Sequence, residues 1–365
     1  MERRKLIDCC QFISDGDHLP PPKSNMGVPF ITISNFTEQN KISFDDTMFV
    51  PEDYYNNLGN TKKVKKGDIL YSVVGSFGKP IYVDFEDKLV FQRHIAILRP
   101  NENVNGKFLY YTMLNPQFYK LMDKLAIGCS QRTITLDTLR NVEIDLPVKE
   151  FQDKIVSILS FIDEKITMNC KVNDNLSAMA FDTYMHYFFA KKPNGKLADI
   201  LIENEKSKVQ VGEAKDSDGD YPFFTSGEAI LQWKDNFVDG RNCFLNTGGN
   251  ADVKFYVGKA AYSTDTWCIS ATHNLEDYMY LLLLSIKPEL NKKFFQGTGL
   301  KHLQKPLLKE RPIYIPETEE ITAFNTQIQQ WFDIIAENTR ENQHLTALRD
   351  WLLPMLMNGQ ATICE

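Results

Sequence analysis

The sequence predicts an α+β protein in which two globular domains alternate with two long helices that pair as an antiparallel coiled coil. Three observations carry this reading. A block of the chain recurs at a fixed offset of 169 residues, two stretches repeat apolar residues at steps of three and four, and the segments between them are rich in aromatic, β-branched and turn-forming residues.

The repeat is clearest in GCSQRTITLDTLRNVEIDLP, ending at Pro147, and GTGLKHLQKPLLKERPIYIP, ending at Pro316. The offset aligns Gly128 with Gly297, Arg132 with Lys301, Ile134 with Leu303, Leu139 with Leu308 and Ile144 with Ile313. It continues without a gap, carrying Ile155 to Phe324, Leu159 to Ile328, Asn169 to Asn338, Asn173 to Asn342 and Leu176 to Leu345. The chain is therefore a duplicated unit, a globular part followed by a long helix. The predicted boundaries are 1–147 for the first globular domain, 148–192 for the first helix, 193–316 for the second domain and 317–365 for the second helix.

Each helix begins after a proline and an acidic turn, Pro147-Val-Lys-Glu and Pro316-Glu-Thr-Glu-Glu, which suits the positive end of a helix dipole. In the second, Ile321, Phe324, Ile328, Trp331, Ile335, Asn338, Asn342 and Leu345 form one seam; Ile155, Leu159, Ile162, Ile166, Asn169, Asn173 and Leu176 form the other. The breaker cluster Lys191-Lys-Pro-Asn-Gly195 ends the first helix. At 1.5 Å per residue, about 40 residues span roughly 60 Å. Buried asparagines at seam positions fix register when they pair with one another, so Asn169, Asn173, Asn338 and Asn342 are the expected pairing residues; the alternative is that they face solvent on a rotated seam.

Within the globular parts, Val28–Ile33, Ile69–Val74, Ile81–Phe85 and Ile95–Leu98 read as strands in the first. Tyr221–Thr225, Asn242–Asn246, Lys254–Val257 and Ala260–Thr264 do so in the second. Helices are expected near Lys107–Leu114 and Leu275–Ile286.

The 365 residues, 43% hydrophobic and 24% charged, describe a globular protein of two or three domains. No apolar run reaches the roughly 18 residues of a membrane span, and the charged N-terminus lacks a signal-peptide core. Seven cysteines without C-x-x-C spacing suggest reduced thiols in a cytoplasm rather than a zinc site or disulfide framework. The six histidines show no metal-ligand spacing.

Signatures of catalysis are weak. The Asn-Pro-Pro-Tyr/Phe motif of adenine methyltransferases is absent, and Pro20–Pro22, flanked by Leu19 and Lys23, does not replace it. Val74-Gly-Ser-Phe-Gly-Lys79 lacks the spacing and the Ser/Thr of a nucleotide-binding loop. Asp199 with Glu213-Ala-Lys215 matches a nuclease pattern too loose to carry weight.

The whole arrangement resembles the specificity subunit of type I restriction-modification systems. The residues that carry the resemblance are Ile13-Ser-Asp-Gly-Asp-His18, Gly27-Val-Pro-Phe-Ile31, Lys66-Gly-Asp-Ile-Leu70, Phe91-Gln-Arg-His-Ile-Ala-Ile-Leu-Arg-Pro100 and the Gly…Ser-Gln…Ile-x-Leu-Pro run into the helix. The second domain departs from it by lacking a clear match to Ile13–His18, and the two domains share little outside the run before each helix. The resemblance implies two target recognition domains, each reading one half of an asymmetric bipartite site in double-stranded DNA. The helices act as a spacer along which two modification subunits dock, and restriction subunits join in some complexes. It implies no cofactor on this chain, with S-adenosylmethionine, ATP and magnesium on the partners. The rivals are the reading subunit of another restriction class and a single-chain methyltransferase or nuclease.

Net charge is −7, concentrated in the helices: residues 317–365 hold two basic and eight acidic side chains, whereas 1–147 hold 18 of each. Such a chain grips DNA through local patches and has a weak non-specific hold. Bases are read by amides and guanidinium groups. The first-domain candidates are Lys23, Gln92, Arg93, His94, Ser130, Gln131 and Arg132, with Ser72, Ser76 and Lys79 on a glycine-rich loop that either meets a phosphate or is a plain turn. The second-domain candidates are Ser226, Arg241, Asn246, Thr247, Asn250, Thr264, Asp265, Thr266, Lys301 and His302.

Overall fold

A computed structural model describes residues 2–361 except 20, 38–39, 130, 216, 218 and 228. The chain divides into two units, residues 1–164 with 345–365, and residues 165–344.

In the first unit the strands are β1 (Glu2–Lys5), β2 (Cys10–Asp15), β3 (Val28–Ile31), β4 (Met48–Val50), β5 (Ile69–Ser72), β6 (Pro80–Tyr82), β7 (Val90–Phe91), β8 (Ile95–Pro100) and β9 (Glu143–Leu146). They form a four-stranded sheet of order β2-β8-β5-β6, a three-stranded sheet β4-β3-β7 and the pair β1-β9. β5 is buried along its whole length because both its faces are covered. Its alternate side chains point to opposite sides, Ile69 and Tyr71 into one core with Leu109 and Met113, Leu70 into another with Ile81, Ile95 and Ile97. Asn105 starts the helix Gly106–Leu114 by accepting from the amides of Lys107 and Phe108.

The second unit contains β10 (Gly195–Lys196), β11 (Leu201–Glu203), β12 (Tyr221–Phe224), β13 (Ile230–Trp233), β14 (Arg241–Asn246), β15 (Val253–Val257), β16 (Ala261–Tyr262), β17 (Thr266–Ala271), β18 (Phe295–Gln296), β19 (His302–Leu303) and β20 (Pro312–Ile313). Its sheets are β11-β17-β14-β15 and β13-β12-β16, with the pairs β10-β20 and β18-β19. Position for position this is the strand order of the first unit, including the parallel pairs β3-β7 and β12-β16. The two globular parts share little sequence, yet they are one topology used twice. Their cores are built from different residues at matching places, so the likeness is hidden in the sequence and plain in the pairing.

The long helices run Lys149–Phe188 and Thr318–Met357. In the second unit Asn169 donates to Asn342 Oδ1 at 2.9 Å and Asn338 donates to Asn173 Oδ1 at 2.8 Å. Partner number falls as residue number rises, so the helices are antiparallel, and each amide pair joins one asparagine to the repeat-equivalent of the other. Asn169 is buried, and its amide also reaches Glu341, which is bound in turn by Lys165 at 3.0 Å. The seam of the second helix is wider than its spacing predicts. Phe332 and Ala336 are buried while Trp331 and Ile335 are only partly so, because Phe332 packs against Phe255 and Tyr280 on the sheet side. In the first unit Leu353, Leu356 and Met357 close a core with Ile155, Leu159, Phe108 and Tyr111. Among the described residues, no helix is long and apolar enough to cross a membrane.

Candidate nucleic-acid interface

The central strand of each unit ends in a loop that two other segments clamp. In the first unit the Val73 amide donates to the carbonyl of His94 at 2.9 Å, Ile134 donates to Val73 at 2.8 Å, and Gly75 donates to Arg132 at 3.0 Å. In the second, Thr247 donates to Asp265 at 3.0 Å, Leu303 to Thr247 at 2.9 Å and Gly249 to Lys301 at 2.9 Å. These are the same three bonds. They gather the loop after the central strand, the turn before the next strand and the repeated Gly…Arg/Lys segment at one end of each sheet.

The turns also match. Ile95 donates to Gln92 at 3.0 Å and Thr266 to Ser263 at 3.1 Å, closing tight turns whose tips are Arg93-His94 and Thr264-Asp265. Outer bonds from Gln92 to Ile31 and from Ser263 to Phe224, each 2.9 Å, fix their orientation. So do bonds from Arg93 to Asp17 and from Thr264 to Val209, again 2.9 Å each. Val209 thus stands where the first unit has Asp17, which locates in the second domain the segment its sequence did not reveal. Gly128 and Gly297 start the repeated segment at φ +97° and +152°; a Cβ there would lie 2.6 Å from the carbonyl of Gln131 and 2.5 Å from that of Leu300.

The structure brings together Gln92, Arg93, His94, Ser76, Gln131 and Arg132 in one unit, and Thr247, Asn250, Thr264, Asp265, Lys301 and His302 in the other. Arg93, Ser76 and Gln131 are exposed, as are Asn250, Asp265, Lys301 and His302. Arg93 Nε donates to His94 Nε2 at 3.3 Å. Burial, aided by Arg93 and His18, holds the His94 pKa below its ordinary value. Beneath the first turn Asp17 is buried and bound by Tyr54 and by Lys62 at 2.9 Å. Burial raises its pKa, but these partners outweigh that and keep the carboxylate charged. In the second unit a cleft of about 340 Å³ lies beside the turn, lined by Asn204, Glu205, Lys206, Thr247, Thr264 and Asp265 among others.

Several expected contact residues take other roles. Ser72, Asn246 and Thr266 are buried and cannot reach a base edge. Ser72 instead donates to the Ser76 carbonyl at 3.0 Å and accepts from the Lys79 amide at 3.0 Å. Asn246 donates to the carbonyls of Gly248 and Asn250 and accepts from the Asp252 amide at 2.7 Å. Thr266 Oγ1 pairs with Ser263 and Phe224. Arg241 sits at the far end of β14, bound to Asp277 at 2.7 Å and to Asp333. Arg132 is turned back onto Asp123 and over the Phe77 ring, 5.7 Å from its centroid. The Val74–Lys79 loop is anchored by Phe77, which is buried and stacked 5.8 Å from Tyr119, while Gly75 and Ser76 are exposed. Lys23 is exposed just before Ser24, whose amide bonds Phe49. Ser226 lies in a loop held by Thr225 and Lys254. Ser130 lies outside the described residues. The nuclease-like pattern dissolves into backbone contacts, with Asp199 accepting from the Lys196 amide at 2.8 Å and Glu213 from the Gln210 amide at 2.9 Å.

One exposed residue of the cluster was missed: Leu300, 66% exposed, occupies the place of Gln131, whereas Ser263 at the place of Gln92 is buried. The offset of 169 carries Gln131 directly onto Leu300, so that one was available from the repeat.

The model of the type I restriction modification DNA specificity domain family matches residues 1–178 and 191–347. The type I restriction enzyme MjaIX specificity subunit of Methanocaldococcus jannaschii is 22% identical over 312 residues, 73% of this chain and 71% of that one. The HindI specificity subunit of Haemophilus influenzae is 31% identical over 152 residues, 40% of this chain but only 33% of that protein. The chain is similar in fold to the crystal structure of a type I restriction-modification S subunit from M. genitalium, with TM-score 0.61 at 14% identity over 100% of this chain and 96% of that one. With its duplicated topology and a family match that spans both halves, the chain belongs to the type I restriction modification DNA specificity domain family.

Proposed function

We propose that this chain is the DNA-reading subunit of a type I restriction-modification complex and has no catalytic site of its own. Each globular domain reads one half of a bipartite target in double-stranded DNA, through the turn, loop and repeated segment at the end of its sheet. The observation that carries this is the pair of equivalent clusters with unlike side chains: one backbone frame presents Gln92, Arg93, His94 and Gln131, the other Thr264, Asp265 and Leu300. A frame held by main-chain bonds while its exposed side chains differ suits recognition of two different half-sites.

On this reading the antiparallel helices set the separation of the half-sites and carry two modification subunits, with restriction subunits joining in some assemblies. S-adenosylmethionine, magnesium and ATP are then used by those partners. The rival in which this chain itself cleaves DNA is disfavoured because the acids of the one nuclease-like pattern accept from backbone amides.

The test is a binding selection: the chain, purified with the subunits that accompany it, is offered randomised duplex DNA and the retained molecules are sequenced. Two unlike short motifs at a fixed separation are expected. Retention without sequence preference would contradict the proposal.

A further inference from the structure

Arg93-His94 and Thr264-Asp265 occupy the same turn, fixed by the same four main-chain bonds, but present opposite charge. In the first unit the tip offers Arg93 and an imidazole; in the second it offers an exposed carboxylate. Nearby acids of the first unit are engaged, Asp15 by His18 at 2.6 Å and Asp17 by Lys62 at 2.9 Å. Among the described residues Asp265 has no ion-pair partner, and only its backbone is committed, its carbonyl accepting from the Thr247 amide and the Thr247 hydroxyl.

A free carboxylate is unfavourable on a surface that meets phosphates unless it is aimed at a donor. The only donors that duplex DNA displays in the major groove are the exocyclic amino groups, cytosine N4 and adenine N6. Lys301 and His302, exposed on the segment that clamps the same loop, supply positive charge for the backbone on either side. We propose that Asp265 is a specificity-determining residue of the second half-site, accepting a hydrogen bond from the exocyclic amino group of one base, whereas the equivalent turn of the first unit donates through Arg93. This rests on the DNA-reading function proposed above. It predicts that one position of the second half-site is a cytosine or an adenine in the strand facing the turn.

The experiment is the same selection on randomised duplex DNA with the full complex, comparing wild type, Asp265→Ala, Asp265→Asn and Arg93→Ala. Asp265→Ala should lose preference at a single position of one half-site, by roughly tenfold to a hundredfold, with the other half-site unchanged. Arg93→Ala should disturb the other half-site. Asp265→Asn keeps an acceptor and gains a donor, so it should keep adenine at that position where the wild type selects adenine and shift to adenine where the wild type selects cytosine. Unchanged base frequencies at every position in Asp265→Ala would overturn the inference while leaving the DNA-reading function intact. If Asp265→Ala retains no DNA, Asp265→Asn decides: a shifted preference supports the assignment and equal loss overturns it. A wild-type complex with no two-part motif would overturn both the function and the assignment.

Discussion

Ser72 and Asn246 hold the same place in the two units, each the last residue of the central strand, and each folds the loop that follows with its own buried side chain. Ser72 does so with two hydrogen bonds, to Ser76 and Lys79, and Asn246 with three, to Gly248, Asn250 and Asp252. Removing either leaves backbone groups unpaired beneath the interface. Asn246→Ala should cost about 1–3 kcal/mol, measured by urea unfolding, and Ser72→Ala about 1 kcal/mol. Hydrogen exchange should quicken at 247–252 in the first variant and at 73–79 in the second. Each should weaken recognition of only its own half-site.

The asparagine pairs of the helices behave as coupled units. Asn169→Ala leaves the Asn342 Oδ1 without its donor on a half-buried seam, whereas Asn342→Ala leaves the Asn169 amide with Glu341 as its remaining acceptor. Each should destabilise the protein by about 1–2 kcal/mol, while the double variant should lose less than the sum, a coupling of about 0.5–1.5 kcal/mol. Additive losses in that cycle would show that the amides do not depend on one another.

Much of this architecture was legible in the sequence because it is periodic. The offset of 169 and the steps of three and four revealed the helices, their antiparallel pairing residues and the clamp segments at Gly128 and Gly297. What escaped was set by contacts distant in sequence. Trp331 follows the heptad spacing, but Phe332 is the buried residue because a sheet, not only a helix, covers that side. The common topology of the globular parts escaped because a strand pairing can be kept with wholly different side chains: Tyr71 and Leu245 face equivalent cores and share no likeness. Among the candidate contact residues, types suited to bases were found, but burial was invisible. Ser72, Asn246 and Thr266 are polar because they organise loops from within, and Arg241 because it neutralises the buried Asp277.

That last pairing separates structural from binding arginines. Arg241→Ala leaves Asp277 buried without its partner and should cost about 3–5 kcal/mol of stability, with base preferences unchanged in whatever protein folds. Arg93→Ala and Lys301→Ala should leave unfolding within about 0.5 kcal/mol of wild type. Where either contacts a phosphate, the variant should bind more weakly and lower the slope of log affinity against log salt by about 1.

His94 supplies a pH test. Because its pKa is held below the ordinary histidine value of about 6.5, it is neutral at and above neutral pH. Its contribution to affinity should therefore be flat from pH 8 to 7. Protonation at lower pH adds a cation beside Arg93 and should tighten binding to DNA, more in wild type than in His94→Gln. Titrating affinity by fluorescence anisotropy on a duplex carrying the selected site reads both. An equal pH response in the two proteins would remove His94 from the interface.

The most direct measurement of the central claim is genome-wide adenine methylation in the source cell with and without this gene. The account predicts that deletion abolishes methylation at one asymmetric two-part motif with a fixed gap, and that replacing the chain with the Asp265→Ala variant relaxes a single position within it. A motif that persists unchanged after deletion, in cells shown to make the protein beforehand, would contradict the account.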